Sequence, residues 1–249
     1  MEQITIYHTN DLHNRYQLFS LLKQVPRDER TFLFDSGDAL GGSSTLFYPR
    51  EPVLSAMNDA GYTAMAMGNR EFHYLRPVLA LRAKSARFPI LSANVKDLTG
   101  KSSHCWKDHL IVEAGTLRVG VMGLTPVQFP EHSFLTRCTG FLFIPPLVAL
   151  REILGEFEAL GVHCVIVLSH LGLRDDRELA EKTRGVDLIL GGHSHRVLHE
   201  PLRVGKTLIM QAGSHGRYMG KCVIEAGERP LRLASYGLIP GGSTSTMAS

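Results

Sequence analysis

Strand-sized and helix-sized segments alternate along most of this 249-residue chain. Nine runs of β-branched and apolar residues have the length of a strand, namely 4–8, 31–34, 63–67, 89–94, 117–124, 162–169, 186–190, 207–211 and 222–225. Apolar residues at helical spacing predict helices over 15–25, 51–60, 76–86, 146–160 and 175–183. Because this alternation is typical of βαβ units, we predict a layered α/β fold that continues as strands and turns after about Lys206.

The composition is that of a globular protein, with 44% hydrophobic and 20% charged residues, and a net charge of +3 does not indicate binding to a nucleic-acid duplex. No apolar run approaches the roughly 20 residues that span a bilayer. The first residues enter a strand without a signal-peptide pattern, so we expect a cytoplasmic protein with no membrane partner. No repeat or linker is visible, so we expect one domain at 1–240 and a mobile glycine- and serine-rich tail at 241–249.

The four cysteines, Cys105, Cys138, Cys164 and Cys222, are far apart and form no C-x-x-C pair. This spacing argues against a structural zinc knuckle and against thioredoxin-type chemistry. We expect all four to be buried small apolar residues in a reducing compartment.

Asp, Asn and His residues directly follow five of the predicted strands. In open α/β sheets, ligands bind beyond the carboxyl ends of the strands, where glycines permit tight turns. Seven side chains at these ends form a mixed set of oxygen and nitrogen donors: Asp11, His13, Asp38, Asn69, His170, His193 and His195. The alternative, buried polar groups that pair with one another or cap helices, would have to recur at all five ends. We therefore interpret the seven residues as metal ligands.

These seven side chains suit two divalent ions. If one carboxylate bridges, they supply four bonds to each ion and leave positions for water and substrate. Because the set contains no thiolate, Mn, Fe, Co or Zn fits best. Two such ions polarise a phosphoryl group and lower the pKa of a bound water, which gives a hydroxide for in-line attack without a nucleophilic side chain.

The same local sequences resemble the motifs of calcineurin-like metallophosphoesterases, and within them the 5′-nucleotidase and cyclic-phosphodiesterase branch. In chain order they are His8-Thr9-Asn10-Asp11-Leu12-His13, Gly37-Asp38-Ala39-Leu40-Gly41-Gly42, Gly68-Asn69-Arg70-Glu71-Phe72, Ser92-Ala93-Asn94, Leu168-Ser169-His170-Leu171-Gly172, Gly191-Gly192-His193-Ser194-His195 and Gln211-Ala212-Gly213. The resemblance implies a four-layer α/β fold in which two mixed β-sheets form a sandwich flanked by helices. It also implies one metal held by Asp11, His13 and His195, and a second held by Asn69, His170 and His193, with Asp38 bridging.

The chain departs from the family pattern at Arg70 and His73. The family has Gly-Asn-His-Glu-Phe-Asp where this chain has Gly68-Asn69-Arg70-Glu71-Phe72-His73. The resemblance implies that the missing histidine stabilises the transition state and protonates the leaving oxygen. Arg70 is either a phosphate clamp or a solvated arginine, and because it stays protonated it cannot be a general acid. With Asn69 and Arg70, His73 is a catalytic candidate as a substitute proton donor, although a structural role is the simpler interpretation.

We therefore predict a metal-dependent hydrolase of small phosphate mono- or diesters, nucleotides among them, that acts best on activated esters. Their leaving groups need no proton, so the loss of a general acid matters least for them. The alternative is a metal- or nucleotide-binding module with little turnover because Arg70 replaces the histidine. The sequence argues against a metallopeptidase, since it contains no H-E-x-x-H motif.

Substrate choice is the open part of this prediction. Secreted 5′-nucleotidases that the chain resembles carry a further C-terminal domain whose aromatic side chains stack the nucleobase, and we find no sequence for it here. His215 lies in a glycine-rich turn after a predicted strand. It is either a substrate-side residue or a surface histidine.

Overall fold

The structure, a computed structural model, describes residues 2–26, 28–101, 103–226 and 231–242, so the predicted tail lies outside the described residues from 243 onward. The strands are β1 (Glu2–Thr9), β2 (Thr31–Asp35), β3 (Ala64–Ala66), β4 (Ile90–Leu91), β5 (Val95–Asp97), β6 (His109–Ala114), β7 (Leu117–Leu124), β8 (Phe141–Phe143), β9 (Cys164–Ser169), β10 (Leu188–Gly191), β11 (Leu202–Val204), β12 (Thr207–Met210), β13 (Tyr218–Ala226) and β14 (Arg232–Pro240). The helices are α1 (Phe19–Leu22), α2 (Pro52–Ala60), α3 (Arg76–Ser85), α4 (Phe134–Thr139), α5 (Pro146–Ala159) and α6 (Leu173–Lys182). Among these described helices, none has both the length and the apolar character needed to cross a membrane.

Two six-stranded sheets contain most of the strands, in the orders β14-β13-β1-β2-β3-β4 and β11-β12-β10-β9-β7-β6. In the first sheet β1 to β4 are parallel, and β13 and β14 extend it in antiparallel fashion. In the second sheet β7, β9, β10 and β12 are parallel, with β6 and β11 antiparallel at the edges. Strands β5 and β8 form a separate two-stranded ribbon. The prediction of two mixed sheets is confirmed.

Three apolar clusters hold the layers together. Ile6 of β1 and Ile166 of β9 lie in the cluster between the two sheets. Met57 of α2 packs with Leu33 on the outer face of the first sheet, and Phe157 of α5 lies in the cluster on the outer face of the second. Strand side chains alternate between the two faces of a sheet. A strand is therefore apolar at nearly every position when both faces of its sheet are covered. The predicted four-layer arrangement is therefore confirmed, with parallel strand ends at one edge of each sheet.

The predicted helix over 15–25 is wrong except for the single turn of α1. Residues before it are held by tertiary contacts: Asn14 has a φ of +58°, and the Gln17 side-chain amide donates to the His215 carbonyl. Those contacts fix residues 14–17 in a non-helical path that the apolar spacing does not reveal.

The expectation that all cysteines are buried is also wrong in part. Cys164 and Cys222 are buried, whereas Cys105 is half-buried and Cys138 is exposed, and all four are free thiols. Cys138 is exposed because it lies on the short helix α4, whose buried side chain is Thr136.

Candidate metal centre

The turn after β1 brings Asp11 and His13 against His195, which follows β10. The Asp11 carboxylate oxygen Oδ1 lies 3.2 Å from His195 Nε2 and 3.7 Å from His13 Nε2. The two imidazole nitrogens are 3.1 Å apart. One atom from each of the three residues lies within 4.8 Å of the others, so these three side chains form a first donor group.

A second donor group contains Asp11 again, together with Asp38 after β2 and His170 after β9. His170 Nε2 lies 3.3 Å from Asp38 Oδ1 and 3.9 Å from Asp11 Oδ1. The other ring nitrogen, Nδ1, is 2.7 Å from the Ser36 carbonyl, to which it donates when protonated. That contact directs Nε2 towards the carboxylates, as an outer hydrogen bond does for a metal-binding histidine.

The other two predicted ligands, Asn69 and His193, lie beside the second group. The His193 ring centroid is 5.1 Å from that of His170, and the His193 backbone N–H donates to Asp11 Oδ2 at 2.9 Å. The next residue after Asn69, Arg70, donates its backbone N–H to Asp38 Oδ1 at 2.8 Å. The shared carboxylate in these contacts is that of Asp11, and the bridging role of Asp38 stays a prediction.

Most of these residues have a backbone conformation that L-amino acids rarely adopt. The described non-glycine residues with positive φ, between +48° and +65°, are Asp11, His13, Asn14, Asp38, His193, His195 and His215. Five of these seven are predicted ligands. Such strain costs of order 1–3 kcal/mol per residue and is concentrated at functional sites.

The protein groups alone make His170 strongly basic. Its complete burial opposes protonation, but the neighbouring carboxylates of Asp38 and Asp11 raise its pKa to about 9. Burial tends to raise the pKa of Asp38, yet His170 lowers it below the ordinary value. His170 would have to lose a proton to bind a metal, which makes metal affinity increase with pH.

Three buried donor atoms test whether the residues fit a metal. Asp11 Oδ1, Asn69 Oδ1 and His170 Nε2 are buried and have no hydrogen bond of normal geometry among the described residues. Buried polar atoms are nearly always paired, and because Asp11 Oδ1 and His170 Nε2 are 3.9 Å apart, one ion or water could satisfy both. Oxygen and imidazole donors without thiolates also match borderline divalent metals. The residues therefore fit a metal centre.

Two supporting residues inside the quoted motifs were not singled out from the sequence. The buried Glu71 carboxylate accepts backbone N–H groups from Asp38 at 2.8 Å and Gly68 at 2.9 Å, which ties the loops after β2 and β3 together. Asn10 donates to Asp11 Oδ2 at 2.8 Å and accepts from the Ala212 N–H at 3.0 Å. The sequence signal that could have identified them is their position next to predicted ligands within the motifs.

Arg70 lies at the second donor group. Its Nη1 donates to the carbonyls of Gly41 at 3.2 Å and Gly42 at 3.1 Å, and its Nε is 3.8 Å from Asp38 Oδ2. The Arg70 side chain is only 35% exposed, so it is not the fully solvated arginine of the second interpretation. We find no hydrogen-bond partner for Nη2 among the described residues, which leaves that nitrogen available to an anion.

His73 belongs to neither donor group. It is buried, and its Nδ1 accepts the Leu75 backbone N–H at 3.0 Å. Burial and the neighbouring charge of Arg82 lower its pKa. These contacts favour the structural interpretation, and a role as proton donor stays a prediction.

A four-layer sandwich with oxygen and imidazole donors beyond its parallel strands defines a class of protein, the metallophosphoesterases. The chain belongs to the calcineurin-like phosphoesterase family, whose model matches residues 4–197. This membership confirms the predicted family, which is one of phosphoric ester hydrolases.

Individual relatives agree with that assignment. The chain is 30% identical to the 5′-nucleotidase of Homo sapiens, over 94% of this chain and 48% of that protein. The structure of a 5′-nucleotidase precursor from Thermus thermophilus matches 95% of this chain and 54% of its own, with 26% identity and a TM-score of 0.75. The sulfate thiohydrolase SoxB of Thermus thermophilus, 22% identical, covers 95% of this chain and 56% of its own at a TM-score of 0.80, and supports the fold alone. The chain thus spans about half the length of the curated relatives it matches.

Proposed function

We propose that this chain hydrolyses phosphate mono- or diesters with the help of two divalent ions, drawn from Mn, Fe, Zn and Co. The observation that carries the proposal is the convergence of two donor groups on the Asp11 carboxylate. The relatives named 5′-nucleotidase make nucleotides the first substrates to examine. A cytoplasmic location is part of the proposal, and the four free thiols support a reducing compartment.

The ligand roles follow the family pattern position by position. Asp11, His13 and His195 would hold one ion; Asn69, His170 and His193 would hold the other, with Asp38 between them. Two divalent ions at such a site supply charge that polarises the phosphoryl group and acidifies water. Asn10, Glu71 and Ser36 keep the ligands oriented through the hydrogen bonds described above.

Arg70 binds the phosphate in this proposal. Its contacts with Gly41, Gly42 and Asp38 hold the guanidinium beside the donor groups, and Nη2 is free to donate to a phosphoryl oxygen. A guanidinium stays protonated and cannot protonate the leaving oxygen. Esters with acidic leaving groups should therefore react fastest. Because Arg70 cannot act as a general acid, it also favours the second candidate function, a metal- or nucleotide-binding module with little turnover.

Replacing Asp38 tests the proposal, because this carboxylate contacts both His170 and Arg70. We expect the wild type to contain about two metals per chain and to hydrolyse bis-nitrophenyl phosphate. Asp38→Ala should lower kcat at least about 100-fold, since even changes outside the direct ligands cost 10–100-fold. Asp175→Ala, at a surface aspartate that is 42% exposed, is the matched control.

Two results would contradict the proposal. Full activity in Asp38→Ala would separate the reaction from this site. A wild type that binds metals and nucleotides without turnover would establish the binding module instead.

A further inference from the structure

His215 lies against the first donor group without belonging to it. Its ring centroid is 4.8 Å from that of His13, at a tilt of 37°, and 5.7 Å from that of His195. Its ring nitrogens do not join Asp11, His13 and His195 among the donor atoms that lie within 4.8 Å of one another. The residue therefore borders the candidate metal centre as a neighbour of two ligands.

Backbone and side-chain contacts fix the orientation of His215. Its backbone N–H donates to the Asp11 carbonyl at 2.7 Å, and its carbonyl accepts from the Gln17 side-chain amide. Its Nδ1 lies 2.9 Å from Ser214 Oγ, and Nε2 has no partner among the described residues. The side chain is exposed, and its φ of +57° is uncommon for residues other than glycine. These contacts hold the His215 ring in a defined position beside His13.

The two donor groups share Asp11, so a ligand that spans them meets His215 beside the first group and Arg70 beside the second. Arg70 has a free Nη2 beside the other donor group. An anion bound over the donor groups would thus have Arg70 and His215 as neighbours.

We propose that His215 is a substrate-binding residue whose Nε2–H donates to a phosphoryl oxygen, together with Nη2 of Arg70. The inference rests on the proposed phosphoesterase function and adds a residue to the phosphate site. When the Ser214 hydroxyl donates to Nδ1, the neutral imidazole carries its N–H at Nε2, and hydrogen bonds to anions are stronger than those between neutral groups. His215 therefore contributes to phosphate affinity rather than to metal affinity.

Two variants at position 215 distinguish the effect of the N–H donor from the effect of the aromatic ring. His215→Phe keeps an aromatic ring and removes the donor, whereas His215→Gln keeps an N–H donor at a similar reach. Both are L-residues that meet the same positive φ, so their backbone cost is matched. His132→Phe, at an exposed histidine of the described chain, is the control.

The experiment measures binding of inorganic phosphate to the metal-loaded chain by calorimetry, with metal content determined on the same samples. We expect His215→Phe to weaken phosphate binding about tenfold, the loss expected for one hydrogen bond to a charged group. His215→Gln and His132→Phe should stay within about threefold of the wild type. Metal content should be unchanged, and KM for nitrophenyl phosphate should rise with the phosphate Kd.

Three results would overturn the inference. Unchanged phosphate binding in His215→Phe would show that Nε2 does not contact the anion. A loss of metal in that variant would make His215 a ligand or a support of the ligands. A wild type that neither binds phosphate nor hydrolyses any ester would refute the proposed function itself, whereas the first two results leave that function standing.

Discussion

Arg70 replaces a group that accepts and donates protons with one that only carries charge. The guanidinium is held by two carbonyls and by the Asp38 carboxylate, so its position is fixed even though it is partly exposed. Fixed donors stabilise the charge of a phosphoryl group in the transition state without reorganisation. In the proposed reaction the leaving oxygen would depart unprotonated or take its proton from water.

Arg70→His should restore part of the missing proton transfer. General acid catalysis contributes about 10²–10⁴-fold, and only when the leaving group needs a proton. We expect the ratio of kcat/KM for an alkyl phosphate to that for nitrophenyl phosphate to rise at least about tenfold, because nitrophenolate leaves without protonation. Steady-state kinetics on both esters measure this ratio.

His73→Ala serves as the companion variant. Because His73 contacts the backbone of Leu75 and belongs to neither donor group, we expect the ratio of kcat/KM for the two esters to be unchanged in this variant. Comparable turnover of the two esters by the wild type, unchanged in His73→Ala, would contradict the claim that the chain lacks a general acid.

The sequence indicated the candidate ligands by their position in the chain but did not indicate their backbone conformation. The seven candidates were identifiable because polar residues follow parallel strands, whose carboxyl ends meet at one edge. The support from Glu71 could not be identified in this way, since it depends on backbone N–H groups from two different loops. Positive φ at His193 and His195 is likewise a property of the folded turn.

Regular elements were predictable where one periodic pattern is long enough. Strand β7 and helices α2 and α5 agree with their predictions within a residue at each end. Strands β5, β6, β8, β11 and β14 and helix α4 were missed. Five of these missed elements have six or fewer residues, and β14 alternates weakly because much of it is exposed. Their positions depend on the neighbours to which they pair.

Helix α6 carries a buried acid, Asp176, beside the end of strand β9. Asp176 accepts a hydrogen bond from Ser169 Oγ, and a Cβ at Gly191 would lie 2.5 Å from its other oxygen. Burial raises the pKa of Asp176 from 3.8 to about 7. The helix therefore packs best with this carboxyl group neutral.

The pH dependence of stability should reflect Asp176. Its folded pKa is above the unfolded value, so its contribution is fully present below about pH 4 and is lost as the pH rises through 7. We expect Asp176→Asn, which is always neutral, to be more stable relative to the wild type at pH 8 than at pH 5. Denaturant unfolding of chelator-treated protein at both pH values measures the difference. A constant difference would mean that Asp176 does not titrate with folding.

Both sheets supply the candidate ligands. Asp11, Asp38 and Asn69 follow strands of the first sheet, whereas His170, His193 and His195 follow strands of the second. A ligand that binds only the folded chain stabilises it by mass action. Metal binding should therefore stabilise the whole sandwich as one unit.

Chelation should lower the Tm of the whole molecule. At a free metal concentration of about 100 times Kd the stabilisation is about 2.7 kcal/mol, or roughly 5–10 °C for a chain of this size. The decrease should be larger at pH 8 than at pH 6, because His170 must lose its proton to bind a metal. Calorimetry with and without chelator checks both expectations. Metal-containing protein whose Tm does not change on chelation would contradict them.

The left-handed backbone at Asp11, His13, Asp38, His193 and His195 sets a trade-off between stability and side-chain chemistry. Glycine adopts this conformation without steric penalty. Glycine at a position of this kind would relieve backbone strain but would remove an oxygen or nitrogen donor. The turns therefore keep these donors in place at a cost in folding stability.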